Sequence, residues 1–221
     1  MAGERAQLLE RIAALVPEPG SEDCVLVAVD GVDGSGKTTF ADELASCLGR
    51  AGRPTVRISA DDFHQVRARR YRLGRSSAEG FWLDSYDYAR FRRDVLTPLG
   101  PGGSRRYRAK GHDLSTDQVL WLAPVLAPAS TVVVVDGLFL HRDELVDAWD
   151  FSVFLEVPFE ETARRMAVRD GSSPDHRHPS LRRYVEGQQL YFAACSPQDL
   201  ATVVVDNTDL AAPHIIGGPA A

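Results

Sequence analysis

Lysine is nearly missing from this chain. Of 25 basic residues only Lys37 and Lys110 are lysine, and the rest are arginine. Cysteine is scarce as well: Cys24, Cys47 and Cys195 are odd in number, far apart and free of any C-x-x-C pair. That excludes a disulfide framework and a thiolate metal site, and it predicts buried thiols in a reducing compartment. No apolar run approaches the ~20 residues that span a bilayer. Met1 to Arg5 leads into an amphipathic pattern rather than a signal core, so the expected location is cytoplasmic, with no membrane partner. A broad basic excess is absent too. The net charge is −6 and the pI near 5.5, which argues against a nucleic-acid partner. No internal repeat occurs, and the one compositionally biased stretch is the Gly/Pro/Ala tail, expected to fray over 217–221.

The remaining composition, 44% hydrophobic and 25% charged, is that of a soluble globular protein. Length predicts a single domain over 1–221 with room for a small lid. Leu8, Leu9, Ile12, Leu15 and Val16 mark a packing helix over 4–16, stopped by Pro17 and Pro19. Apolar strands are expected at Cys24–Val29, Thr55–Ser59, Thr131–Val135, Phe151–Val157 and Ala201–Val205, with helical patterns between them. These imply an α/β fold: a doubly wound, five-stranded parallel sheet with helices on both faces and ligands at the carboxyl ends of the strands. Tyr184, Tyr191 and Phe192 read as core residues of a last long helix over 180–195.

Between the first strand and the first long helix lies Gly31-Val32-Asp33-Gly34-Ser35-Gly36-Lys37-Thr38, followed by Thr39. This is the phosphate-loop pattern G-x-x-x-x-G-K-T in the strand–loop–helix setting that it requires. Its glycines let successive N–H groups turn toward phosphate oxygens, and the helix start adds its dipole. Lys37 reaches the β- and γ-phosphates, and the Thr38 hydroxyl ligates Mg²⁺. A chain that otherwise writes arginine has placed lysine where a compact ammonium is needed. The pattern predicts a nucleoside triphosphate ligand.

Two further acids lie at the same sheet edge. Asp61 follows the second strand, where a carboxylate can take a proton from an attacking hydroxyl, and it is also a candidate metal ligand. Asp136 ends the valine-rich strand, where an acid holds Mg²⁺ directly or through water. Taken alone, Asp61 and Asp62 could equally cap a turn. The arginine-rich segment Arg67 to Arg75 reads as a solvated loop that helps attract anionic ligands.

Gly31–Thr39, Ser59-Ala60-Asp61-Asp62-Phe63-His64, Phe81–Asp84, Tyr107–His112, Val135-Asp136-Gly137 and Arg164–Asp170 occur in one order. Together they resemble the uridine kinase and uridine–cytidine kinase branch of the phosphate-loop kinases, whose relatives include phosphoribulokinase and pantothenate kinase. The resemblance covers residues 24–207. It implies ATP and Mg²⁺ as cofactors and phosphoryl transfer to the 5′-hydroxyl of a pyrimidine ribonucleoside, with Asp61 as general base. It also implies that Asp84 holds the ribose, that Tyr107 and His112 contact the base, and that Phe81 and His64 belong to the acceptor site. Segments 65–85 and 104–112 then form the acceptor side. Residues 164–182 form a lid whose Arg165 and Arg169 approach the transferring phosphoryl group, with Arg177 in a second lid role.

The chain departs from the family pattern at Leu83, Ser85 and Tyr86, at Asp136 in place of a glutamate, and in a lid without the usual Arg-Gly-Arg string. The acceptor is therefore left open, with pantothenate-like or sugar-phosphate alcohols as alternatives. A thymidylate-type kinase shares Asp33–Thr38 but expects Asp-Arg after the second strand, where this chain has Asp61-Asp62. A non-catalytic nucleotide switch is opposed by Lys37, Thr38, Asp61 and Asp136 occurring together. Oligomerisation of the chain with itself stays open.

Overall fold

The computed structural model describes residues 3–218. Strands β1 (Cys24–Gly31), β2 (Thr55–Ser59), β3 (Thr131–Asp136), β4 (Phe151–Glu156), β5 (Val203–Asp206) and β6 (His214–Gly217) form one sheet in the order β6-β5-β4-β1-β3-β2. All neighbours pair parallel except β6, which runs antiparallel to β5. The expected five-stranded sheet thus gains a sixth strand. His214-Ile215-Ile216-Gly217 can turn back on β5 because 207–213 form a tight return, and Ile215 packs on the core. Gly217 therefore belongs to the sheet rather than to a frayed tail, while 219–221 lie outside the described residues.

Among the described residues the longer helices around the sheet are α1 (Glu4–Leu15), α2 (Lys37–Arg50), α3 (Ala78–Asp84), α4 (88–99, with a wider π turn at Arg92–Leu96), α5 (Phe159–Asp170) and α6 (Arg182–Cys195), and single helical turns lie at Arg67–Arg70 and Pro197–Leu200. Alternation along the strands sorts the core into two faces. Val25, Val27, Val29, Val132 and Val134 meet Phe40, Leu44 and Leu48 of α2 and Leu8, Leu9 and Ile12 of α1. On the other face Leu26, Ala28, Val133 and Val135 meet Phe63, Phe91, Val95 and Leu99. A third, aromatic cluster joins Phe81 of α3, Phe139, Phe154 and Tyr191 of α6. Helices α3 and α6 approach closely because residue 187 is glycine: a Cβ there would lie 2.7 Å from the Phe81 ring and 2.9 Å from the Ala78 carbonyl. Residues 106–126 make two short ladders, Arg106–Tyr107 with Val125–Leu126 and His112–Asp113 with Gln118–Val119.

One carboxylate lies wholly inside. Asp30 of β1 is 0% exposed. Its Oδ1 accepts from the Gly31 N–H (2.7 Å), and its Oδ2 accepts from the Leu140 N–H (3.0 Å) and the Tyr191 hydroxyl (2.5 Å). The His141 ring places Nδ1 2.9 Å from the same Oδ2. Tyr191 is therefore more than the packing residue its sequence position suggests. Burial, then Asp30, push its pKa far above the ordinary phenol value, so it stays a donor. The loop that this carboxylate holds includes Phe139, a bulky residue at φ +67°. Tyr191→Phe should lower the unfolding free energy by about 1.5–3 kcal/mol, the worth of a hydrogen bond to a charged group. The check is a urea titration with an earlier midpoint and an unchanged slope. A shift under about 0.5 kcal/mol would mean that the hydroxyl does not support Asp30.

Candidate active site

Strand order reverses across β1, whose neighbours are β3 and β4, so the crevice opens where β1, β3 and β2 end. Register brings Val29 opposite Asp136 and Asp136 opposite Ser59. The phosphate loop, Asp136 and the Ala60–Phe63 turn therefore share one edge. Gly34 at φ +78° and Gly36 at φ +92° give the loop its curl, and a Cβ on Gly34 would lie 2.8 Å from the Thr162 carbonyl. Outer contacts fix the loop: the Asp33 N–H donates to Gln188 Oε1 (2.5 Å), and Asn207 Nδ2 donates to the Ser35 carbonyl (2.8 Å). Inside it, the Ser35 hydroxyl is buried without a partner. Lys37 Nζ folds back to donate to the Val32 carbonyl (2.8 Å). A bent-back ammonium and a curled backbone at the cavity wall suit a polyanionic phosphate chain.

Two cavities meet at this edge. The larger, about 670 Å³, is lined by Asp33, Gly34, Gly36, Lys37, Thr38, Thr39, Asp61, Asp136, Arg165 and Arg169. The smaller, about 240 Å³, is lined by Asp61, His64, Arg70, Tyr71, Phe81, Ser85, Tyr86, Tyr184 and Arg183. Asp33, Asp61 and Leu138 line both. The Tyr86 hydroxyl donates to Asp61 Oδ1 at 2.8 Å. Burial, then the Asp61 charge, raise the Tyr86 pKa far above the usual range, so this proton stays on the phenol and Tyr86 remains the donor to Asp61. The His64 ring lies tilted against Tyr86 with centroids 4.4 Å apart, and burial lowers its pKa, which leaves it neutral at pH 7.

Asp136 is 2% exposed and fully engaged. Thr38 Oγ1 donates to its Oδ2 (2.7 Å) and Arg57 Nη2 to its Oδ1 (3.0 Å). With its proton turned to Asp136, the Thr38 oxygen keeps its lone pairs for a cation. Among the described residues no group of three or more His, Cys, Asp or Glu gathers around a metal position. A divalent cation would therefore share its shell between this pair and the nucleotide phosphates.

Arg165 and Arg169 both line the larger cavity, but they differ in freedom. Arg165 pairs with Glu161 and donates to the carbonyls of Ser35, Asn207 and Thr208, which clamps the phosphate loop to the 207–208 segment. Among the described residues Arg169 pairs only with the neighbouring Asp170, a contact that raises its pKa. Arg177 is exposed, pairs with Asp175, and lines neither cavity.

The three residues expected at a nucleoside do not line the smaller cavity. Asp84 is 2% exposed, with Arg69 and Arg72 on its two oxygens at 3.0 and 2.9 Å. Tyr107 packs at the rim of the second core face. His112 is buried, with Nε2 3.3 Å from Asp117 but without hydrogen-bond alignment. None of the three lines the smaller cavity, because the 112–119 ladder turns His112 inward and the arginine segment closes over Asp84. Phe81 and His64 do line it.

Several site residues have no sequence signal of their own. Arg57 looks like an ordinary residue of an edge strand. Tyr86 registers only as a departure from the family pattern, and Arg183 as one of many arginines. Arg5 of α1, a helix read as packing only, reaches the larger cavity by pairing with Glu43 (2.7 Å) and donating to Asn207 Oδ1 (3.0 Å).

The model of the phosphoribulokinase / uridine kinase family matches residues 26–189. Similar folds occur in a possible uridine kinase from Bacillus stearothermophilus (21% identity, TM-score 0.69, covering 90% of this chain and 96% of that one). A phosphoribulokinase from Rhodobacter spheroides is 14% identical with TM-score 0.56, covering 85% and 71%. A D-glycerate 3-kinase from Cryptococcus neoformans is 12% identical with TM-score 0.54, covering 96% and 95%. With a match that runs from β1 through the phosphate loop, Asp61 and Asp136 into α6, the chain belongs to the phosphoribulokinase / uridine kinase family, kinases that phosphorylate hydroxyl groups.

Proposed function

We propose that the protein transfers the γ-phosphoryl group of ATP to a hydroxyl of a small molecule held in the smaller cavity, with Asp61 as general base. One observation carries this reading: Asp61 lines both cavities and has one oxygen held by the hydroxyl of the buried Tyr86. The other oxygen is then oriented toward an acceptor hydroxyl, and a carboxylate there removes its proton as the bond to phosphorus forms.

The loop N–H groups and Lys37 hold the β- and γ-phosphates, for which Lys37 must leave the Val32 carbonyl. Thr38 and Asp136 would hold Mg²⁺, which when bound neutralises charge on the transferring phosphoryl group. Arg57 keeps Asp136 oriented. Arg169, tied only to Asp170, supplies the mobile positive charge, whereas Arg165 acts by clamping the loop. Such electrostatic contacts act mainly in the transition state.

For the acceptor, the sequence resemblance favours a pyrimidine ribonucleoside. The ring-rich wall of His64, Tyr71, Phe81, Tyr86 and Tyr184 supports a flat molecule. That reading has to place the nucleoside against these rings rather than against Asp84, Tyr107 and His112.

Three variants test the assignment. Gly34→Ala should weaken ATP binding at least tenfold, since its Cβ meets backbone in a left-handed conformation; unaltered affinity in a calorimetric titration would remove the loop from the site. Asp61→Asn should lower kcat by about 10²–10⁴-fold with ATP affinity retained; lost affinity with an intact rate would reassign Asp61 as a metal ligand. Arg169→Ala should reduce kcat more than it raises the Kd for ATP, and equal losses in both would make it a structural ion pair.

A further inference from the structure

One guanidinium in the smaller cavity lacks a counter-charge. Arg183, in the first turn of α6, is 7% exposed and lines the wall beside Arg70 and Tyr71. Its hydrogen bonds go to backbone only, Nη1 to the Arg75 carbonyl (2.9 Å) and Nη2 to the Arg70 carbonyl (3.2 Å). Its face lies over the rings of Tyr71 (4.8 Å) and Phe81 (5.6 Å). Among the described residues it forms no ion pair, although arginines of the facing segment do: Arg69 and Arg72 share Asp84, and Arg70 takes Asp117. Desolvation lowers its pKa, yet a guanidinium keeps its proton. These carbonyls and ring faces offset part of its desolvation, but a buried charge without a counter-ion stays costly unless something of opposite sign meets it. The acids on the cavity wall, Asp33 and Asp61, belong to the end shared with the nucleotide cleft and pair with neither Arg70 nor Arg183.

We infer that the acceptor is an anionic alcohol, bearing a carboxylate or phosphate group that Arg183 and Arg70 hold while its hydroxyl lies at Asp61. This rests on the phosphoryl-transfer reading above and chooses among its acceptors. The planar fork of Arg183 suits two oxygens of one anion. The two arginines on one side and Asp61 on the other give the molecule a single orientation, with the negative group away from the incoming phosphates. A neutral nucleoside would leave the Arg183 charge unmet. A purely structural Arg183, bracing residues 70–75 through its two carbonyl contacts, would be indifferent to acceptor charge.

That difference is measurable. Hydroxy acids and sugar phosphates, each beside its neutral parent alcohol and with uridine included, are assayed for ADP release. The same compounds are titrated calorimetrically into protein loaded with a non-hydrolysable ATP analogue. The expected result is at least one anion with kcat/KM ten times or more above its neutral parent. Arg183→Gln should cut that value about a hundredfold, mainly through KM, with the Kd for ATP unchanged. The carboxylate and phosphate series then say which anion fits. Should Arg183→Gln melt early, Arg70→Gln on the facing helical turn serves instead, with a loss confined to anionic acceptors. Equal use of neutral and anionic acceptors, an equal loss on both in the variants, or no anion whose binding depends on Arg183 would overturn the inference. Failure of the underlying reading looks different: anions bind in an Arg183-dependent way, yet none is phosphorylated.

Discussion

The site depends on a charge that never meets solvent. Asp30, fully buried at the end of β1, gathers the first N–H of the phosphate loop, the backbone and ring of the 139–141 turn, and a hydroxyl from α6. A buried carboxylate is tolerable only when its acceptor capacity is filled, so each of these partners is held in place as firmly as Asp30 itself. The strand that carries the nucleotide loop, the turn beyond Asp136 and the helix that carries Gln188 and Arg183 are thereby tied to one point. Orientation at the crevice is a by-product of satisfying that group.

The parts of the protein legible in the sequence are those whose signal is local. The phosphate loop, the five parallel strands and α2 follow from spacing within a few residues, as does the position of Asp61 and Asp136 at strand ends. The sixth strand was not legible, because His214–Gly217 is too short and mixed to show a period and gains its pairing only from β5. The acceptor side was hardest to read. A motif match carries residue type and order but not the closure of one segment over another. Thus Asp84 matches its motif yet is neutralised by Arg69 and Arg72, and His112 keeps its spacing yet turns into the protein. Tyr86, visible only as an oddity in the pattern, gives Asp61 its orientation through a contact that spans 25 positions. Arg183 joins the wall of the smaller cavity through contacts more than 100 positions away, which no local reading can see.

Charge is distributed unequally around the crevice. On the nucleotide side acids and bases are interlocked: Asp136 with Thr38 and Arg57, Arg57 also with Asp42, Arg165 with Glu161. These pairs hold geometry and leave little net charge. On the acceptor side guanidinium groups outnumber their carboxylates, which run between two arginines on Asp84 and one on Asp117. Within the smaller cavity itself Arg70 and Arg183 stand against Asp33 and Asp61, with Arg70 already paired to Asp117 and Arg183 to no carboxylate among the described residues.

Gly187 has a bearing on how this scaffold can diversify. Because α3 and α6 touch through a position with no side chain, the spacing of the cavity's two helical walls has no slack in either direction. A methyl group there would meet the Phe81 ring and the Ala78 carbonyl and wedge them apart. Descendants with new substrates would therefore arise by exchanging the side chains that project between the walls, such as Tyr71, Ser85 and Tyr184, while the walls keep their distance. The pocket can be recoloured far more readily than it can be resized.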